Sequence, residues 1–419
     1  MFSGDVEKKN CHHYRIGELL MNTAVVSNRI NQLSESQTIQ MNQKSRELKE
    51  KGVDVINLTL GEPDFNTPEH IKIAAIEAVN DNITHYPPVA GFPVLKKAIV
   101  KKLAVDNGLT YAPEQIVVSN GAKHSLANVL QCIVNKGDEV IIPAPFWVSY
   151  LELVKLAEGT PVIVEADIEQ EFKITPQQLE ASITPKTKAI LFNSPSNPTG
   201  SVYSFKELEA IVAVLEKHPH VHVISDEIYE KINFVGKHVG IAEFSSLKDR
   251  TIVINGVSKG YAMTGWRLGY IAAPLSIAKA VMKLQGQYTS GVCGIAQMAA
   301  KQAFEGDQEC VEEMRVAFEK RRDLVLDIVK TIPGFKVSFP HGAFYIFPDV
   351  SAYFGKKNGE TVINTSMDMC MYLLEKVHVA SVPGSAFGSA NCVRFSYAAS
   401  DKQLTEAFTR VKEALAQLK

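Results

Sequence analysis

From about residue 67 to residue 300, short β-branched apolar runs alternate with longer amphipathic stretches. The apolar runs predict strands over Gln115–Ser119, Glu139–Pro143, Pro161–Glu165, Lys188–Asn193, His222–Ser225, Thr251–Asn255 and Arg267–Ala272. Helical periodicity between them covers His70–Asn80, Gly91–Asn107, Lys123–Val134, Ser149–Ala157, Thr175–Ser182 and Ser204–His218. Strands that alternate with helices at this spacing predict an α/β fold, with a mainly parallel seven-stranded sheet covered by helices on both faces. The pattern then changes. Helices near Pro274–Tyr288 and Cys310–Thr331 lead to strand-like Ala343–Pro348 and Asn391–Tyr397 and to a closing helix over Asp401–Leu418. The expected division is a large domain over 67–300 and a smaller α+β domain built from 21–66 and 301–419. Residues 1–20 read as an extension outside the folded product, because the stretch from Met21 looks like an ordinary N-terminus.

In an open parallel sheet, ligands bind beyond the carboxyl ends of the strands. Four apolar runs here end in polar, loop-like residues. Ile116-Val117-Val118 leads to Asn120-Gly121-Ala122-Lys123, and Ile190-Leu191-Phe192 leads to Asn193 and Asn197-Pro198-Thr199-Gly200. Val221 to Ile224 leads to Ser225-Asp226-Glu227, and Ile252-Val253-Ile254 leads to Ser258-Lys259. Four such endings point to one site.

Composition narrows the function classes. The chain is 46% apolar and 21% charged, as in ordinary globular proteins, which excludes disorder and fibrous repeats. Its formal charge of −2 gives no global attraction to nucleic acid or to an anionic membrane. The six cysteines form no Cys-x-x-Cys pair and fit a reducing, cytoplasmic compartment. No run approaches the length needed to span a bilayer, and the first twenty residues lack a signal-peptide core. A nicotinamide dehydrogenase would carry Gly-x-Gly-x-x-Gly after a strand, and none is present. A cofactor-binding transcriptional regulator would need a DNA-binding domain, for which residues 1–30 are too short and insufficiently basic.

Four motifs occur in order: Asn193-Ser-Pro-Ser-Asn-Pro-Thr-Gly200, Ser225-Asp-Glu-Ile-Tyr229, Ser258-Lys-Gly-Tyr-Ala-Met-Thr-Gly-Trp-Arg-Leu-Gly269 and Arg394-Phe-Ser-Tyr397. Together they resemble the signatures of fold-type I, class I/II aminotransferases, over about residues 25–419. Leu60-Gly-Glu-Pro-Asp-Phe65, Asn120-Gly-Ala-Lys123 and Pro145-Phe-Trp-Val-Ser-Tyr150 look like the bacterial aspartate aminotransferases of the second main subgroup.

The resemblance implies pyridoxal 5′-phosphate (PLP) as cofactor, held by Lys259 as a Schiff base. Such a lysine needs a lowered pKa, so that its free amine can form the imine and move the substrate α-proton. It also implies that Asp226 pairs with the pyridine nitrogen and that Tyr229 and Asn197 donate to the phenolic oxygen. Gly121, Ala122 and Lys123 at a helix start would hold the phosphate with Arg267, and Trp147 would stack on the ring. Tyr86 would reach the phosphate of a neighbouring subunit, making the protein a homodimer with shared sites. Arg394 would grip the α-carboxylate of the amino or oxo acid substrate. Gly61 would contribute backbone contacts from a mobile segment, and Phe344 and Tyr345 would line the pocket. Ser194-Pro195 and Asn197-Pro198 are candidate cis bonds.

Substrate choice turns on the far end of the substrate. By the same resemblance Lys123 binds a distal carboxylate, helped by Thr38 and Ser290, which favours L-aspartate plus 2-oxoglutarate giving oxaloacetate plus L-glutamate. Broader use of prephenate, aromatic amino acids or alanine is the alternative, and a lyase or decarboxylase on the same scaffold is a further one. Ser34 stands where some prephenate-active relatives carry lysine, which weighs against prephenate. One departure from the family pattern is Gly256, three residues before Lys259, where relatives usually have serine. The lost hydroxyl implies a modestly weaker hold on the cofactor.

Overall fold

The computed structural model describes residues 25–419, so the expected extension over residues 1–20 lies outside the described residues. Seven strands form the main sheet: β1 Ile116–Ser119, β2 Glu139–Ala144, β3 Thr160–Glu165, β4 Thr187–Asn193, β5 His222–Asp226, β6 Thr251–Gly256 and β7 Gly269–Ala272. Their spatial order is β1-β7-β6-β5-β4-β2-β3. All neighbours are parallel except that β7 runs antiparallel to both β1 and β6. Along β4, Ala189 and Leu191 pack into one apolar cluster while Ile190 and Phe192 pack into another, as period-two alternation requires. Both faces are buried under helices, which is why the strands read as continuous apolar runs.

The register brings the carboxyl ends together. Asp226 at the end of β5 lies beside Asn193 of β4 and Ile254 of β6. Ser119 at the end of β1 and Gly256 at the end of β6 both pair with Gly269, so all four polar endings picked out in the sequence share one edge of the sheet. Beyond this edge, a separate apolar cluster gathers Met41, Val55, Leu58 and residues from Met314 to Leu418, joined by Ile228, Tyr229 and Ile232. It includes a three-stranded antiparallel sheet, in which β10 Val393–Ser396 lies between β8 Tyr345–Ile346 and β9 Val382–Pro383.

Several expected boundaries move. Arg267 is not in a strand; it adopts a left-handed turn (φ 55°) and β7 starts at Gly269. The strand expected over Ala343–Pro348 shortens to two residues because Ala343 is itself left-handed (φ 55°). Helices Gly294–Glu305 and Ser366–Val377 were not anticipated. Ser194-Pro195 and Asn197-Pro198 are cis as expected, and so is Ala144-Pro145. Among the described residues, no helix is long and apolar enough to cross a membrane.

Candidate active site

A cavity of about 310 Å³ opens at the carboxyl edge of the sheet and is lined by Gly61, Lys123, Asp226, Lys259, Arg267 and Arg394 among others. Ala122, Trp147, Asn197, Tyr229 and Thr38 also line it, so eleven of the residues singled out above meet in one place. Gly121, Tyr86 and Phe344 do not line it.

Four cations, Lys123, Lys259, Arg267 and Arg394, border this cavity, and none is ion-paired with a carboxylate among the described residues. Asp226 is the one carboxylate in the lining. Uncompensated cations in a partly dry site are costly, and natural proteins retain them where a ligand supplies the anion. Arg394 shows this most sharply. It is 2% exposed, its Nη1 donates to Asn197 Oδ1 at 2.9 Å, and its Nη2 donates to the Thr59 carbonyl at 2.7 Å. Its Nε has no hydrogen-bond partner among the described residues. Tyr345 and Phe387 pack their rings 4.5 and 4.8 Å from the guanidinium carbon and hold the fork in place.

Lys259 Nζ donates to the Gly61 carbonyl at 2.5 Å. Burial, with Arg267 and Arg394 adding to it and Glu62 and Asp226 partly opposing, lowers the amine pKa to about 8. Such an amine keeps a far larger neutral, nucleophilic fraction near physiological pH than an ordinary lysine does. Asp226 is pushed the other way. Burial raises its carboxyl to about 6, although hydrogen bonds from Tyr150 and the Ile228 N–H work against the rise. Tyr150 Oη donates to Asp226 Oδ2 at 2.7 Å, a contact the sequence reading missed. Asn193 Nδ2 donates to the Asp226 carbonyl at 2.9 Å, and Asn193 Oδ1 accepts from the Asn197 N–H at 2.9 Å. Asn193 thereby braces both the Asp226 and the Asn197 backbone. Tyr229 and Tyr345 join hydroxyls at 2.8 Å.

The other end of the cavity is a helix start. Gly121 caps helix Ala122–Ile133 with φ 85°, and the guanidinium of Arg267 lies where a side chain at 121 would go, its Cζ 2.9 Å from the ideal Cβ position. Arg267 Nη1 is anchored to the Thr264 carbonyl at 3.0 Å. A helix N-terminus with free N–H groups beside an unpaired guanidinium fits a phosphate monoester. A lone buried carboxylate fits a protonated pyridine nitrogen, and an amine of lowered pKa fits an aldehyde. The residues present therefore fit PLP. Trp147, which packs edge-on against Tyr150 with centroids 5.5 Å apart, lines the space between them.

Lys123 is partly buried, which lowers its pKa, and Arg267 adds to the effect. Its ammonium stands 4.8 Å from the centroid of the Trp147 ring. Thr38 Oγ1 is buried without a hydrogen-bond partner among the described residues.

Five of the residues named above stand outside the cavity lining. Phe344 is fully buried and packs edge-on against Tyr229 with centroids 5.5 Å apart; its neighbour Tyr345, the first residue of β8, lines the cavity instead. Gly121 acts from behind the cavity wall, through the space it leaves for Arg267. Tyr86 is 98% exposed and Ser290 is exposed, both outside this chain's own cavity. Ser34 is exposed and gives its N–H to Glu152 Oε2 at 3.0 Å.

Gly256 has a local explanation. A Cβ there would lie 2.8 Å from both Gly269 Cα and the Leu268 carbonyl oxygen of the adjoining β7 segment. Gly256→Ser is expected to lower stability by about 1–3 kcal/mol, read as a lower denaturation midpoint in urea. An unchanged midpoint would show that the strands separate freely. Ser258 lines the cavity next to Lys259.

Comparison with known proteins places these features in context. The family model "Aminotransferase class I and II" matches residues 53–411. The chain is 49% identical to an aspartate aminotransferase of Geobacillus stearothermophilus, over 92% of this chain and 98% of that protein. It is 47% identical to an aspartate/prephenate aminotransferase of Cereibacter sphaeroides, over 94% of this chain and all of that protein. Among solved structures, the aspartate aminotransferase of Rhizobium meliloti superposes with a TM-score of 0.91 at 42% identity, covering 94% and 99% of the two chains. The Thermus thermophilus aspartate aminotransferase with maleate superposes with a TM-score of 0.87 at 39% identity, covering 93% and 99%.

Proposed function

Because this chain belongs to the class I and II aminotransferases, we propose that its cleft moves the amino group of L-aspartate to 2-oxoglutarate, yielding oxaloacetate and L-glutamate. The carrying observation is that two cations without protein anions, Arg394 and Lys123, border the same cavity as Lys259 and Asp226. One carboxylate suffices for any amino acid; a second cation calls for a second carboxylate. The Thermus relative was solved with maleate, itself a dicarboxylate.

The enzyme uses PLP, which when bound supplies the electron sink that makes the amino acid α-proton removable. Lys259 is assigned to hold it covalently, with Ala122, Lys123 and Arg267 at the phosphate, Gly121 leaving the space for Arg267 behind them, and Trp147 against the ring. Asp226 holds the pyridine proton by ion pairing, with Tyr150 Oη keeping its second oxygen in place. Tyr229 and Asn197 donate toward the phenolic oxygen. Arg394 orients the substrate by its α-carboxylate, and Gly61 covers it through the backbone. Lys259 Nζ, once displaced by the substrate's amino group, would take the α-proton and return it to the cofactor carbon on the other side of the amino nitrogen, a task suited to an amine titrating near 8. Lys123, with the unpartnered Thr38 hydroxyl, receives the distal carboxylate.

This reading includes a homodimer. Tyr86 projects fully into solvent from the loop before Pro87, and Gly291, next to Ser290, is packed against Pro87. Tyr86 and Ser290 therefore stand on one face, from which a second copy would present them to its partner's site. The large domain over 67–300 and the small domain of 21–66 and 301–419 are assigned as the walls of the cleft. A cytoplasmic location completes the reading, supported by the free thiols among the described residues.

Lys123→Ala is expected to raise KM for aspartate, glutamate and 2-oxoglutarate by about tenfold or more, while alanine and pyruvate change by less than about threefold. Steady-state kinetics with both substrate classes checks this. Equal effects on the two would remove the dicarboxylate assignment. A second reading adds prephenate as amino acceptor, favoured by the Cereibacter relative's name, although Ser34 supplies no cation. Prephenate belongs in the same substrate panel.

A further inference from the structure

Behind the turn that carries Asp226 and Tyr229, the protein buries charges that the cleft does not use. Asp226 and Tyr229 line the cavity, whereas Glu227 and Glu230 lie outside its lining, 1% and 8% exposed. Glu230 is ion-paired with Lys102 and accepts from Asn107 Nδ2 at 3.0 Å, and Lys102 Nζ donates to Asn107 Oδ1 at 2.8 Å. Lys102 and Asn107 both belong to helix Pro93–Asn107, so this closed triad ties that helix to the turn. Lys231, the next residue, repeats the tie through Asp106 at 2.7 Å. Glu227 is held as well: Ser225 Oγ donates to it at 2.8 Å, His238 Nε2 lies 3.3 Å from its other oxygen, and its N–H donates to the Ile254 carbonyl at 2.9 Å.

Stability alone gives little reason for such an arrangement, since apolar groups of the same volume commonly hold a fold as well as a buried ion pair does. Hydrogen-bonded charges instead impose direction and register, which a short turn between two apolar clusters otherwise lacks. Burial pushes the Glu230 carboxyl up, but Lys102, His238 and Lys231 outweigh it and hold it at about 2, so the carboxylate stays ionised at any working pH. Ser225, Asp226, Glu227 and Tyr229 are consecutive or nearly so, and any tilt of the turn moves the Tyr229 hydroxyl and the Asp226 carboxylate together.

We propose that Lys102, Asn107 and Glu230 are positioning residues for amino transfer, fixing from behind the turn that presents Asp226 and Tyr229 to the cofactor. The proposal rests on the cofactor site assigned above. It is tested with PLP-loaded enzyme carrying Lys102→Met, Lys102→Arg or Asn107→Ala. Lys102→Met is expected to lower kcat by about tenfold or more with KM for aspartate changed by less than about threefold. The pH midpoint of the visible cofactor absorbance should rise, because a displaced Tyr229 hydroxyl no longer favours the ionised phenolic oxygen. Lys102→Arg should restore the midpoint and most of kcat. Asn107→Ala removes one neutral partner, should shift both readouts the same way by less, and decides the matter if Lys102→Met does not fold. Folded variants with a lower melting temperature but the wild-type kcat and absorbance midpoint would overturn the proposal. Wild-type enzyme that gains no visible absorbance from PLP and transfers no amino group would overturn the cofactor reading itself, and the proposal with it.

Discussion

Lys259→Ala is expected to remove the visible absorbance of PLP-loaded protein and to cut amino transfer by more than about 10⁴-fold, while leaving the fold intact. Two separate contributions vanish with one amine: the covalent hold on the cofactor and the base that moves the α-proton. The fold should survive because the amine makes a single hydrogen bond, to the Gly61 carbonyl, and burial already penalises its charge. The sign of that penalty gives a companion result in the wild type. With the amine held near 8, below its ordinary value, capture of added PLP by cofactor-free enzyme should accelerate as pH rises through about 8 and slow below it, where the ammonium dominates. Stopped-flow absorbance measures this directly. A rate independent of pH between 7 and 9 would mean that a different group forms the bond.

Arg394→Ala is expected to lower kcat/KM by about 10²–10³-fold, equivalent to roughly 3–4 kcal/mol, for every amino and oxo acid alike. The uniformity follows from what the residue faces. Among the described residues its buried guanidinium has an unpartnered Nε and no ion-paired carboxylate, so the anion it awaits is the one all substrates share. Arg394→Lys should recover only part of the loss, since a point charge cannot reproduce the two-pronged contact. Maleate should raise the melting temperature of the wild type and fail to do so in Arg394→Ala. Selective loss toward dicarboxylates alone would reverse the assignments of Arg394 and Lys123.

Much of the cleft was legible along the chain because strand ends are local features. Asp226 and Asn193 each close an apolar run, and parallel pairing in register places them side by side. Arg394 sits in a strand whose neighbours Val393 and Phe395 are both buried core residues, which forces its side chain to the other face. What escaped depends on contacts distant in sequence or on exact facing. Tyr150 reaches Asp226 across 76 residues, and nothing in helix Ser149–Leu156 announces that its hydroxyl ends on that carboxylate. Phe344 and Tyr345 both look like pocket residues, yet only Tyr345 lines the cavity, while Phe344 in the turn before β8 packs into the core. Arg267 reads as the start of a strand by composition, yet the left-handed turn there is what swings its guanidinium over Gly121. The Lys102, Asn107 and Glu230 triad joins residues more than 120 positions apart and has no periodic or motif signal.

The most direct measurement is amino transfer itself: PLP-loaded protein incubated with L-aspartate and 2-oxoglutarate, with glutamate and oxaloacetate quantified together. Glutamate and oxaloacetate formed in equal amounts, lost in Lys259→Ala, is the predicted result. Aspartate consumed with release of carbon dioxide or ammonia and no glutamate, or no consumption at all, would contradict it.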